Sequence, residues 1–452
     1  MKRSFVIAIL LAAPILAGAS ETPETEGPVA AKGPETKTIE WLPAPGPAEI
    51  PAPADDLNVA VQGLTVHEWG TFTSIAGADG HAVKWLPAGG PTDLPCFVAK
   101  SGAEGPKIAS ADQRAGRANR ALVRMETPVL YFYSPRPETV NVKVRFHQGL
   151  ISEWYPAAAV SREMPWQDAD IDSSTGVIQW NNVKITPGAT ESYPLEDSPS
   201  HYYAARRTGS APLQVTVQPT WWTTATQPPP TIQHEKFLFY RGLGSFQPPI
   251  AVEALPDGKV TLTKLTDEEI PAVVLFENRG GRIGFRIPKV GLSATPVTMS
   301  LPPLTMNIAK LHEALAAMLE AQGMFPQEAR AMVETWKDSW FEQGTRVFYI
   351  MPSPAVDSIL PLEIQPAPIQ VSRVFVGRME IITPTTREEV RNAIQHKDRT
   401  VLETYGRFLE PIVNSFLADL SETDRSQAQY YMQSIRSEYL AGVSACSQKR
   451  TW

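Results

Sequence analysis

Val140-Asn141-Val142-Lys143-Val144-Arg145-Phe146-His147 alternates apolar and polar side chains without a break. Period two marks a strand with one face buried and one wet, because successive side chains point to opposite sides. The same pattern recurs on both sides of this stretch. Upstream, Val129-Leu130-Tyr131-Phe132-Tyr133 is a continuous apolar and aromatic run, and downstream Ile151-Ser152-Glu153-Trp154-Tyr155 follows a turn at Gly149. Residues 176–180, 183–185, 213–217, 236–241, 250–255, 259–264, 272–277 and 283–287 read as further strands. Pro256-Asp257-Gly258 and Asn278-Arg279-Gly280-Gly281-Arg282 supply hairpin turns. The 42 prolines point the same way, since proline breaks helix interiors and favours turns and edges. The expected fold class is mainly β. One or two consecutive antiparallel β-sandwich domains occupy residues 57–303, any split falling near 227–230, and an α+β C-terminal region occupies 304–452.

The change of character after Pro303 rests on helical spacing. Ile308, Leu311, Leu315, Met318 and Leu319 form one stripe that ends at Gly323. Pro326 opens a second helix with Ala329, Val333, Trp336 and Trp340 on one face. Strands are expected at 347–351 and 371–382. A capping box at Thr386-Arg387-Glu388-Glu389 opens another helix. A helical pattern follows over 401–416, interrupted at Pro411, and a last amphipathic helix runs over 422–440.

The N-terminus carries an export pattern. Lys2 and Arg3 precede an apolar run from Phe5 to Leu16, and Ala17-Gly18-Ala19 supplies small residues for cleavage. Residues 1–19 therefore read as a signal peptide, and the mature chain is placed in the periplasm or outside the cell. The apolar run falls short of the roughly 20 residues a membrane span needs, and no later segment is long and apolar enough. Residues 20–56 are a Pro/Ala/Glu-rich linker. Removing the signal moves the formal charge from −7 to −9, with 39 Lys and Arg against 48 Asp and Glu. That balance argues against a nucleic-acid partner, which needs a basic field. Cys96 and Cys446 are the two cysteines, and in an oxidising compartment they form one disulfide or remain two thiols.

The blocks HEWGTFT (67–73), METPVLYFYS (125–134), ISEWYP (151–156) and GTRVFYIMP (344–352) resemble those of an uncharacterised family of exported bacterial proteins. The resemblance spans most of residues 60–415. It implies a shared fold and export, and it brings no catalytic residue with it.

Three chemistries suit the residues. Glu68 and Glu153 each precede a tryptophan in an expected strand, and a glycoside hydrolase needs two carboxylates across a sugar. On that reading Trp69 and Trp154 position a glycan or another envelope component. Arg206, beside Arg207 and Tyr202-Tyr203, offers a fork for a carboxylate or phosphate. A second reading is a metal-dependent hydrolase. His67-Glu68 and His234-Glu235 would supply two imidazoles and a carboxylate to zinc, with His147 or His201 as the third imidazole. Asp168-Ala169-Asp170-Ile171-Asp172 begins like a calcium loop but lacks its later glycine and glutamate. The third reading is a non-catalytic envelope or interaction protein. The chain contains no G-x-S-x-G elbow and no P-loop.

Overall fold

The computed structural model describes residues 40, 61–87, 94–101, 120–165, 170–197, 200–218 and 229–448, with side chains through 435 and at 437. The expected signal peptide and all of the expected linker except Glu40 lie outside the described residues, as does most of the stretch around 227–230. The described residues fall in one compact unit, Ile39–Trp452.

In chain order the first strands are β1 (Thr65–Ala76), β2 (Ala99–Lys100), β3 (Val123–Tyr133), β4 (Glu138–His147), β5 (Gly149–Tyr155) and β6 (Ala159–Glu163). Next come β7 (Thr175–Ile185), β8 (Leu213–Val217), β9 (Thr231–Glu235), β10 (Leu238–Gly244), β11 (Ile250–Ala254) and β12 (Lys259–Lys264). The last are β13 (Val273–Arg279), β14 (Arg282–Arg286), β15 (Val297–Ser300), β16 (Gly344–Ile350), β17 (Leu362–Gln365) and β18 (Gln370–Ile381). The helices are α1 (Ile308–Glu320), α2 (Pro326–Trp340), α3 (Ser353–Ile359), α4 (Pro384–His396), α5 (Arg399–Thr404), α6 (Leu409–Asn414) and α7 (Glu422–Gln448). Strand outweighs helix, 39% to 27%, so the chain is mainly β with a helical C-terminal region.

The strands make three sheets. The largest has nine strands in the order β14-β13-β16-β18-β1-β3-β10-β5-β2. A second runs β17-β4-β7-β8-β9 with β6 on β7, and a third runs β11-β12-β15. Among the described residues, every strand pair within 57–303 is antiparallel, as expected, but β1 also takes a parallel neighbour from the C-terminal region. β1 and β18 lie parallel along their whole length, from Thr65 beside Gln370 to Ala76 beside Ile381. A parallel neighbour needs a long crossover, and here the chain between Ala76 and Gln370 provides it. The expected boundary at 303 therefore runs through one sheet, because β16 and β18 sit between β13 and β1.

One face of the nine-stranded sheet contributes Val66, Phe72, Phe132, Tyr240 and Phe375 to an apolar cluster. That cluster also takes Val142 and Trp180 from the second sheet and Val252 and Leu262 from the third. The other face contributes Trp69, Tyr131, Phe276 and Phe348 to a cluster with Leu315, Trp336 and Trp340 of α1 and α2. A separate cluster gathers α4–α7 around Ile75 and Trp85. The sheet is covered on both sides, which explains why β1, β3, β10 and β16 are buried at every position and do not alternate.

Several local expectations shift. Residues 176–180 and 183–185 belong to one strand, β7, with Asn182 in the left-handed region at φ 55° where Asn181 and Asn182 oppose the single Asn141 of β4. Thr386 does not cap its helix. Thr383 is the cap, its hydroxyl accepting from the Thr386 amide, and Pro384 takes the first turn. The pattern over 401–416 divides into α5, a 3₁₀ turn and α6, and the last helix extends to Gln448. No helix among the described residues is long and apolar enough to cross a membrane.

Candidate functional site

The first candidate carboxylates do not form a pair. Glu68 is buried, and Arg373 of the neighbouring strand holds it at 2.7 Å while Tyr240 donates to it at 2.6 Å. Glu153 lies on β5, three strands away in the sheet. Strand spacing alone separates them by about 14 Å, beyond the roughly 5–9.5 Å a carboxylate pair spans across a glycosidic bond. Trp69 is buried under the helices, whereas Trp154 packs half-buried on the opposite face. Arg206 is already engaged. It grips Glu235 through two nitrogens at 2.8 and 2.6 Å and lies over the Tyr203 ring.

The histidines are also dispersed. His67 is buried beneath Phe325, and its Nδ1 meets Glu328 at 2.8 Å. Tyr133 donates to the same carboxylate at 2.7 Å, and the Phe325 amide donates to it at 2.9 Å. His234 pairs with Glu191 at 2.9 Å, and exposed His147 meets Thr175 at 3.1 Å. His201 packs against Trp336. No group of three or more His, Cys, Asp or Glu side chains that could hold a metal occurs among the described residues. Asp168 lies outside the described residues, and Asp172 is taken by Lys84 at 2.9 Å. Cys96 is disulfide-bonded, while the side chain of Cys446 lies outside the described residues.

A different set of polar residues is concentrated on the helix-facing side of the large sheet. Part of it supports the end of α2. Arg346 donates to the carbonyls of Trp340 and Gln343 at 2.6 and 2.8 Å, and Arg378 donates to that of Ser339 at 2.7 Å. The carbonyls of Ser339 and Trp340 lie in the last turn, where the helix itself offers no partner, and positive charge suits the negative end of its dipole. Glu380 and Glu342 neutralise the two arginines.

The remainder has no such structural assignment. Thr71 and Thr73 of β1 stand beside Glu126 and Arg124 of β3. Alternation puts all four on one face, at the corners of a patch about 5 by 7 Å. Arg407, between α5 and α6, meets Glu126 at 2.8 Å. Arg241 of β10 donates to the Thr127 hydroxyl at 3.1 Å. Arg124 donates to the Pro87 carbonyl at 3.1 Å and lies 3.7 Å from half-buried Glu153. Burial pushes the Glu126 carboxyl up. The guanidiniums of Arg407, Arg124, Arg241 and Arg378 outweigh that and hold it at about 2. Burial also draws Arg124 below its usual value; nearby Arg241 and Arg407 add to this, and Glu153 and Glu126 oppose it.

The backbone at this patch departs from regular pairing. Irregularities fall between Trp69 and Thr71 in β1, between Phe239 and Gly242 in β10 against β3, and between Arg241 and Gly242 in β10 against β5. Thr127 sits at φ 48°, which a β-branched residue rarely adopts. Bulges re-aim side chains, and Arg241, bonded to Thr127, lies near enough to Glu126 to help lower its carboxyl. At three of those corners, the Thr71 and Thr73 hydroxyls and the Arg124 Nε are buried without a hydrogen-bond partner. Three adjacent unpaired polar groups in one buried patch are unusual, since the great majority of such groups are paired.

None of these residues stood out in the sequence as a candidate site: Thr71, Thr73 and Glu126 appear only within the HEWGTFT and METPVLYFYS blocks, and Arg241 only at the end of the strand expected at 236–241. The available signal was charge inside otherwise apolar runs: Val123-Arg124-Met125-Glu126 and Phe239-Tyr240-Arg241-Gly242.

No family model matches the chain, and no curated protein matches it. Among solved structures it is similar to the yeast delta-COP-I mu-homology domain, at 8% identity and a TM-score of 0.27, over 72% of this chain and 100% of that one. The same domain complexed with Dsl1 WxWxV peptide gives 7% identity and 0.27, over 71% and 98%. A likeness this slight assigns neither a fold nor a partner.

Proposed function

We propose that this is an exported protein that recognises a small polar ligand at the Thr71–Thr73–Arg124–Glu126 patch. The observation that carries the reading is the set of three buried, unpaired polar groups beside an ion-paired carboxylate. A polar network left partly unsatisfied is costly in a fold and suits a site whose partner arrives from outside. Half-buried Glu153 and Arg407 mark the side from which a ligand would enter. Export rests on the N-terminal pattern of residues 1–19, and the disulfide at Cys96 fits an oxidising compartment. The apolar cluster shared by all three sheets supports reading the β portion as a sandwich that carries a helical layer. An envelope glycan remains among the candidate ligands, and hydrolysis among the candidate activities. The Glu68–Glu153 arrangement adds no support to a two-carboxylate mechanism.

The test is a thermal-shift panel of neutral sugars, amines and anions on the mature protein, residues 20–452. It compares wild type with the Thr71→Val, Thr73→Val double variant. Removing an unpaired buried hydroxyl is nearly neutral for folding, so the variant reports on binding. A ligand that stabilises the wild type and loses its effect in the variant is expected. A ligand that stabilises both equally would place recognition elsewhere.

A further inference from the structure

We infer that the ligand of this patch is an oxyanion that still carries a proton, a phosphate or a phosphate monoester in its protonated form. The inference rests on the proposed ligand site and specifies what fills it. Three of the four corners of the patch carry donors. The unpaired Arg124 Nε–H can only donate, and the Thr71 and Thr73 hydroxyls can donate to an oxygen placed between them. Arg407 and Arg241 stand close enough to Glu126 and Arg124 to add to a positive local field. Guanidinium forks and hydroxyls in a buried setting are suited to oxyanions.

Glu126 sharpens the choice. It is the one corner group that can only accept, and Arg407 at 2.8 Å keeps it ionised. An oxyanion without a proton would face this carboxylate with oxygen against oxygen. A P–OH group donates to it instead, while the other phosphate oxygens accept from Arg124, Thr71 and Thr73. Sulfate has the same shape and no proton at neutral pH. A buried carboxylate set against an oxyanion that has no proton to offer it is a strong basis for rejecting a near-isostere. No bond is made or broken in this step. The proton stays on the phosphate oxygen that meets Glu126.

Free phosphate and a monoester are separable by pH. A monoester loses its last proton near pH 6, whereas the inorganic dianion retains one through neutral pH. Titration calorimetry on the mature wild-type protein would use inorganic phosphate, sulfate, a simple alkyl phosphate and glucose at pH 5.5 and 7.5. The expected result is phosphate binding at least about tenfold tighter than sulfate. Alkyl phosphate binding that disappears at pH 7.5 while inorganic phosphate persists would identify the free ion as the ligand. Equal alkyl and inorganic binding at pH 5.5 would admit the ester. Thr71→Val, Thr73→Val should weaken phosphate by about tenfold or more. Glu126→Gln should bring the phosphate-to-sulfate ratio close to one, because the amide can donate to either. Should that variant not fold, the threonine double variant still tests the site. Sulfate binding as tightly as phosphate overturns the inference. Glucose binding that depends on the threonines, without phosphate binding, overturns it and leaves the ligand site standing. Threonine-insensitive binding, or none of any kind, overturns both.

Discussion

Glu68 shows how far a side chain's meaning depends on its neighbours. In HEWGTFT it sits beside an imidazole and an indole, and it resembles a general acid. In the fold it lies against Arg373 and Tyr240, and the Arg373 guanidinium is raised above its usual value, with Glu68 opposing the effect of burial. Glu68→Gln is therefore expected to cost about 3–5 kcal/mol of stability, because it removes the buried counter-charge of Arg373 and leaves only exposed Asp357, at 2.7 Å, to pair with it. Urea denaturation measures this, and a variant as stable as wild type would contradict the pairing. Gly242 raises a steric constraint next to the candidate site. A Cβ there would lie 2.4 Å from the Leu150 carbonyl oxygen, beside the irregularity where β5 inserts Ser152 opposite Arg241 and Gly242. Gly242→Ala should cost about 1–3 kcal/mol by overpacking, read from the same denaturation curves.

Among the elements, α2 is held at both ends by the sheet. Glu328 in its first turn accepts from Tyr133 and the Phe325 amide and meets His67, while Arg346 and Arg378 bind its last carbonyls. Glu328→Ala should lower stability by about 3 kcal/mol or more, since it strands several buried partners at once. Amide exchange should show the loss first in α2, and uniform loss across the chain would count against local anchoring. The helix itself was legible in the sequence from Pro326 and the spacing of Ala329, Val333, Trp336 and Trp340. Its anchoring was not, because His67 and Tyr133 lie some 195 to 261 positions away.

At the level of the whole molecule, β16 and β18 are laid into the sheet beside β1 and β13. A fragment ending at residue 303 would leave the edges of β1 and β13 open, with apolar surface on both faces. It is expected to remain unfolded or to aggregate, as followed by circular dichroism and light scattering. Acid should destabilise the intact chain. Folding lowers the Glu126 carboxyl from its ordinary 4.5 to about 2. The ionised form is thus favoured by the native state, and this contribution is complete above the unfolded value and is lost as pH falls from 4.5 toward 2. Urea midpoints should decline across that window and decline less in Glu126→Gln. The pairing of Cys96 with Cys446 is a further proposal at this level, and peptide mapping without reductant should recover the two peptides joined.

The sequence by itself determined most strands, the first two helices of the C-terminal region and the β-rich class. Periodicity of two or of 3.6 is written within a short window, and burying one face is enough to realise it. Val140–His147 shows this directly, its apolar positions buried and its polar ones exposed or half-exposed. Only the tertiary structure decided that β1 and β18 run parallel, that Glu68 and His67 are bound inside, and that Thr71, Thr73, Arg124 and Glu126 meet. Strand partners and register are set by contacts between segments hundreds of residues apart. A charged residue in a strand looks solvent-facing until its counter-charge is brought to it by another part of the chain.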